Sequence, residues 1–216
     1  MPLGQLYVEE QLALLAELDG QVHVIEPDQT APSVPILTAL AERSIRVSRE
    51  SRQQLGQIAL GLSRASASAS LSGRRFEALL LFLLSQVRDF RVVEHNYRTD
   101  TEELDGVVQQ GSTQGRVWSA MAAPFLLLEA KNWSRRVDQQ VVSVLRVKMQ
   151  GRRGSVRIGL LCGASGFTSD AREQELRFAS DNLTIVFLGP EELESWVEAQ
   201  DTDEFLESVI RRDMLR

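Results

Sequence analysis

Asp105, Glu129 and Lys131 are the side chains whose types and spacing can do chemistry together. Asp105 opens the apolar segment Leu104-Asp105-Gly106-Val107-Val108, and Glu129-Ala130-Lys131 closes the next one, which begins Phe125-Leu126-Leu127-Leu128. Hydrolysis of a phosphodiester builds negative charge on a non-bridging oxygen and on the leaving oxygen. A hard divalent cation held by carboxylates stabilises that charge and acidifies a bound water. Asp105 and Glu129 are the candidate ligands for Mg²⁺, with Mn²⁺ as a substitute. In an extended strand residues i and i+2 share a face, so Glu129 and Lys131 point together, while Ala130 packs behind and could lend its backbone carbonyl to the metal. Lys131 would orient or deprotonate the attacking water and offset phosphate charge, a role helped if a nearby cation lowers its pKa. Each residue alone has a plainer reading: a Glu and a Lys at a strand end are commonly a solvated edge, and Asp-Gly is commonly a turn. The surrounding elements therefore decide.

Those elements fall into two parts. From Leu6 to about Leu62 the pattern is helical: Leu12, Leu14, Leu15 and Leu18 form a stripe, then Ile36, Leu37, Leu40, Ala41 and Ile45, then Leu55, Ile58, Ala59 and Leu62. Residues 64–73 are small and polar, which places a boundary between an α-helical N-terminal region, 1–72, and a second region, 73–216. In the second region the spacing predicts a helix over Arg75–Val87, a strand over Phe90–Tyr97 and the two apolar segments as an antiparallel pair or meander around the turn Gly111–Gly115. A helix over Val137–Met149, a strand over Val156–Cys162, a helix over Ser169–Ala179, a strand over Leu183–Leu188 and C-terminal helices follow. Late strands separated by helices imply parallel pairing on a covered sheet, hence an α/β sandwich with a central mixed sheet.

These residues resemble the PD-(D/E)xK nuclease superfamily and, within it, the Mrr-like restriction endonuclease group. The resemblance spans roughly Gly73 to Leu193 and rests on matches in the right order. Gly73-Arg-Arg-Phe76-Glu77 is similar to the Gly-x-x-Phe-Glu opening of the first helix, and Leu104-Asp105-Gly106-Val107 to the metal-binding strand. Glu129-Ala130-Lys131 is similar to the Glu-x-Lys centre, and Gly166-Phe167-Thr168-Ser169-Asp170-Ala171 to a Gly-Phe-(Ser/Thr)-x-x-Ala step. The long spacing between Asp105 and Glu129 departs from the pattern and reads as a hairpin extension through Gln114 to Ala123. The resemblance implies a restriction-endonuclease-like α/β/α sandwich and a metal-dependent endodeoxyribonuclease of prokaryotic restriction or anti-phage defence. Glu77 would support the metal through a water or hold the lysine. The polar support that the family offers from the next helix falls on Gln140 or its neighbour Gln139. The alternative is a catalytically silent or partner-activated subunit that binds nucleic acid within a larger complex, and an RNA substrate stays open.

Between Ala130 and Ile158 stand Lys131, Arg135, Arg136, Arg146, Lys148, Arg152, Arg153 and Arg157 against Asp138 alone. Arg135, Arg136, Arg146, Lys148, Arg152 and Arg153 are thus the candidates for contacting DNA phosphates, although a basic helix face is often simply solvated. The net charge of −6 argues against indiscriminate coating of nucleic acid. No Lys or Arg precedes Arg43, so the N-terminal region favours protein contact, as a homodimer or as a subunit docked in a larger defence complex. Cys162 is the single cysteine, which excludes an internal disulfide and fits a reducing cytoplasm. The longest apolar run, Ala78–Leu84, is far short of the roughly 20 residues that span a bilayer, so no membrane association is expected. His23 and His95 lack partners at metal-ligand spacing, and Gly151-Arg-Arg-Gly154 lacks the Gly-Lys-Ser/Thr of a phosphate loop.

Overall fold

Two helices, α1 (Ser33–Glu42) and α2 (Arg49–Ala65), lead into α3 (Ala69–Ser85), whose run Ala78–Leu84 offers water no polar face and has to be covered on every side. In the computed structural model, which describes residues 33–65, 68–98, 103–111, 115–121, 123–177 and 182–215, each side chain of that run is at most 2% exposed. Ser68 caps α3 by accepting the Leu71 N–H, so the helix starts before Arg75 and runs unbroken past residue 73. The described residues of the small, polar stretch are the end of α2 and the start of α3. The leucine stripe from Leu12 to Leu18 lies outside the described residues.

The sheet follows: β1 (Phe90–Arg98), β2 (Glu103–Gln110), β3 (Phe125–Lys131), β4 (Val156–Gly163) and β5 (Thr184–Leu188), paired in that order. The β1/β2 and β2/β3 pairs are antiparallel and the β3/β4 and β4/β5 pairs parallel. Parallel neighbours need crossovers, and α5 (Gln139–Gln150) and α6 (Ser169–Leu176) supply them, after the short α4 (Val117–Ala120) has joined β2 to β3. Two C-terminal helices, α7 (Pro190–Glu198) and α8 (Thr202–Met214), close the chain.

Strand alternation assigns the layers. Leu126, Leu128 and Ala130 of β3 pack in one cluster with α1, α2, α3, α7 and α8, while Leu127 packs in the other with Val142, Leu145 and Met149 of α5 and Ala171 of α6. The result is the α/β/α sandwich around a mixed sheet expected from the sequence. One connection differs. In place of a hairpin extension, the described part between β2 and β3 is the helical turn α4, because Trp118 is fully buried and meets Phe90 edge-on at 5.1 Å. Burying an indole outweighs extending a strand into solvent.

Candidate active site

The β2/β3 ladder runs from Gln109 opposite Phe125 to Gly106 opposite Leu128 and ends there. The next two residues are Asp105 and Glu129. Instead of continuing the ladder, the Ala130 N–H donates to Asp105 Oδ2 at 2.6 Å, so a carboxylate takes the place of a strand carbonyl. Glu129 Oε1 lies 2.6 Å from Lys131 Nζ, and Asp105 Oδ2 lies 4.0 Å from the same atom. The two carboxylates and the lysine of the sequence are therefore one constellation at the end of β3.

Close packing brings two helices to it. A Cβ on Gly106 would stand 2.9 Å from Leu81 Cδ2 of α3 and 3.3 Å from Leu128 Cβ, so the glycine eases the close approach of that helix to β2. Glu77 lies one turn before Leu81, and its charge interacts with Asp105, Lys131 and Glu103. On the other face a Cβ on Gly159 of β4 would meet Met149 Sδ at 2.7 Å, which seats α5 tightly against the sheet. Lys148, next to Met149, donates from Nζ to Glu129 Oε2 at 2.7 Å and to the Glu103 carbonyl at 2.6 Å.

Burial and mutual repulsion set the charge state. Glu77 is raised to about 7, by burial first and then by the Asp105 charge, with Lys131 opposing. Asp105 is raised to about 6, by burial first and then by Glu129, although the Ala130 N–H and Lys131 pull the other way. Lys131 is shifted upward: burial alone would lower it, and Glu129, Asp105 and Glu77 outweigh that. The sequence allows a depressed lysine. The structure corrects this, because the groups facing Lys131 Nζ are carboxylates and hold it as a cation.

The donors suit a hard divalent cation. Asp105 and Glu129 present oxygen only, and the repulsion that raises Asp105 is what a cation between them would relieve. Among the described residues no group of three or more His, Cys, Asp and Glu gathers at metal-binding spacing, so further ligands would be backbone oxygen and water.

The basic segment divides. Arg135 is exposed, pairs with Asp138 at 3.0 Å and covers the Trp133 ring at 4.5 Å. Arg136 and Arg153 are exposed and Arg152 half-buried. Arg146 is 3% exposed inside α5, so it is part of the packing and not of the outer face. Lys148 points into the carboxylates. Gln139 and Gln140 are both exposed at the start of α5, where Asp138 caps the Gln140 N–H at 3.1 Å. Gln140 lines a groove of about 500 Å³ along α5 with Lys148 and Arg152, and none of Glu77, Asp105, Glu129 and Lys131 lines it.

Two features escaped the sequence. One is the grip of Lys148 on Glu129. The other is Asn132, whose amide donates to Ser72 Oγ at 2.5 Å, to the Ser72 carbonyl at 2.9 Å and to the Ser63 carbonyl at 3.2 Å, tying the end of β3 to α2 and α3. Its only signal is its place directly after Lys131. The Gly166–Ala171 step is structural: Gly166 has φ +75°, Phe167 packs edge-on to Phe187 at 4.9 Å, and Thr168 caps α6. His95 Nε2 shares a hydrogen bond with Glu42 Oε1 of α1 at 2.6 Å.

A model of the family described as restriction endonuclease, Mrr_cat, matches residues 68–197, more than half of the chain. No curated protein matches. Among solved structures, restriction endonuclease FokI is 14% identical with a TM-score of 0.45, over 87% of this chain and 34% of that one. FokI bound to DNA is 13% identical with a TM-score of 0.47, over 88% of this chain and 33% of that one. The chain thus spans about a third of the length of those structures. Among the described residues no helix is long and apolar enough to cross a membrane.

Proposed function

The chain belongs to the restriction endonuclease family, a family of nucleases, and from that premise we propose that it is a Mg²⁺-dependent endodeoxyribonuclease centred on Asp105, Glu129 and Lys131. The observation that carries the reading is the ladder's end, where two carboxylates lie within 4.0 Å of the Lys131 ammonium nitrogen. Asp105, Glu129 and the Ala130 carbonyl would hold the cation, which supplies charge neutralisation and an acidified water. Lys131, kept cationic by its neighbours, orients the water and offsets phosphate charge; its upward shift makes it a poor general base. Glu77, raised to about 7, can hold a proton or a water beside the pair near neutral pH. Gln140 supports the site from α5. The exposed Arg135, Arg136 and Arg153, with Arg152, reach toward phosphates.

Residues 1–72 serve a homodimer or dock the chain on a larger assembly, and prokaryotic defence in the cytoplasm is the setting that the family suggests. A second reading, a subunit silent until a partner activates it, is favoured by the engagement of both Glu129 oxygens by lysines. The test is incubation with supercoiled, linear, single-stranded and methylated DNA and with RNA, with Mg²⁺ or chelator, and with Lys131→Ala as control. Metal-dependent DNA cleavage lost in Lys131→Ala establishes the centre. A fully active Lys131→Ala protein overturns it. Binding of Mn²⁺ without cleavage selects the partner-activated reading.

A further inference from the structure

The resting site already contains an internal cation that the phosphodiester chemistry does not require. Lys148 comes from α5, on a different element from the Glu-x-Lys strand, and its side chain is only 12% exposed. Two of its three donors are directed to fixed acceptors, Glu129 Oε2 at 2.7 Å and the Glu103 carbonyl at 2.6 Å. Lys131 holds the other oxygen, Oε1, at 2.6 Å. Both Glu129 oxygens therefore already have an ammonium partner, and a divalent cation approaching this carboxylate meets two positive charges in place. Of the two lysines, Lys131 is anchored by a second carboxylate, Asp105, at 4.0 Å, whereas the second anchor of Lys148 is a neutral carbonyl. Lys148 is the one that can withdraw at lower electrostatic cost.

We propose that Lys148 is a positioning residue that holds Glu129 with a built-in cation in the resting site and competes with the divalent cation for it. The inference rests on the metal-centre reading above. When Lys148 yields Glu129, its ammonium stays tethered beside the carboxylate pair, within side-chain reach of a phosphate that the site would take up. It thus links occupancy of the site to the freeing of a phosphate-binding group.

The experiment measures Mn²⁺ binding to the full chain by titration calorimetry without nucleic acid, for wild type, Lys148→Met, Lys148→Gln, Lys148→Arg and Asp105→Asn, with circular dichroism on each to establish the fold. Removing the competing charge in Lys148→Met and Lys148→Gln tightens Mn²⁺ on the order of tenfold, the scale at which one close charge moves an equilibrium in a partly buried site. Lys148→Arg, which keeps the charge, does not tighten. A merely structural role would give the opposite sign, since a loosened site binds metal more weakly. Unchanged or weaker binding in the folded neutral variants, with wild-type binding that Asp105→Asn removes, overturns the role of Lys148 and leaves the metal centre standing. No Mn²⁺ binding by either wild type or Lys148→Met overturns both.

Discussion

The molecule has two dense clusters of opposite charges, and they are built to opposite ends. At the end of β3, Glu77 and Asp105 are pushed up, to about 7 and about 6, by burial and by each other's neighbourhood of carboxylates. Around α8, Glu192 and Glu207 are held below the ordinary carboxylate range. At Glu192 burial works against this and Arg212 outweighs it; at Glu207, Arg211 and Arg116 are the causes. There each acid has a guanidinium beside it: Arg212 lies 2.8 Å from Glu192 and 3.0 Å from Asp213, and Arg116 lies 2.7 Å from Glu207. A cluster whose carboxylates are pulled down is complete as it stands. One whose buried carboxylates are pushed up carries a repulsion that an added cation would relieve.

The largest break in this contrast is functional. On the proposed function, Asp105→Asn and Lys131→Ala are each expected to lower the rate of metal-dependent DNA cleavage on the order of a thousandfold or more, because each would remove a charge that the transition state needs. Lys131→Ala leaves nucleic-acid binding in place, which an electrophoretic shift measures. Retained cleavage in either would mean that the pushed-up acids are a packing accident.

The complementary cluster breaks through stability. Asp213 Oδ2 accepts the Phe187 N–H at 2.9 Å and its carboxylate pairs with Arg212, so Asp213→Ala strands a buried strand amide and removes one partner of a guanidinium that keeps Glu192. The expected cost is about 3 kcal/mol in denaturant unfolding, with cleavage per folded molecule unchanged. A loss of rate at equal folded fraction would show that the two clusters are coupled through β5.

The two clusters also respond to pH with opposite signs. For Asp105 and Glu77 the folded pKa lies above the unfolded one, so their contribution to stability is full below about pH 4 and is lost as pH rises through 6 to 7. For Glu192 and Glu207 the folded pKa is depressed, so theirs is present above the unfolded value and lost as pH falls. In the metal-free protein at pH 8, Asp105→Asn is therefore expected to raise stability by about 1–2 kcal/mol while destroying cleavage, and the gain vanishes near pH 4. Equal melting temperatures for wild type and Asp105→Asn across pH 4–8 would remove the claim that burial and Glu129 disfavour the Asp105 charge in the folded protein.

Much of this architecture is legible in the sequence. The alternation of β3 and the run of β4 predict strands, the order of elements predicts parallel pairing, and Glu129 and Lys131 are bound to share a face by period alone. Connections and donor directions are not legible in the same way. Trp118 turns an expected hairpin into α4, because its burial is decided by Phe90, remote in sequence. Lys148 and Arg146 look alike in a count of basic residues. Two positions along a helix turn one toward Glu129 and bury the other among its neighbours, and only the seating of α5 on Gly159 fixes which. Composition sees a charge; it does not see which way the charge faces.

The facing of the remaining basic residues sets the smallest test. If the outer ones act as a phosphate track distinct from both clusters, they should matter to binding and to nothing else. Arg136 is exposed just before α5, and Arg153 is exposed beyond its end with φ +52°, in a turn that projects it from the helix. Arg136→Ala and Arg153→Ala should each weaken DNA binding severalfold and flatten the slope of log affinity against log salt by about 1, as for one lost phosphate contact. Their melting temperatures and Mn²⁺ affinities should match wild type, since neither touches a carboxylate of the site. Arg146→Met gives the converse: a buried position should change stability and leave the salt slope alone. If the slope instead responds to Arg146 and not to Arg136 or Arg153, nucleic acid approaches α5 from a face other than the exposed one, and the division between a cation-hungry site and an outer phosphate track has to be redrawn.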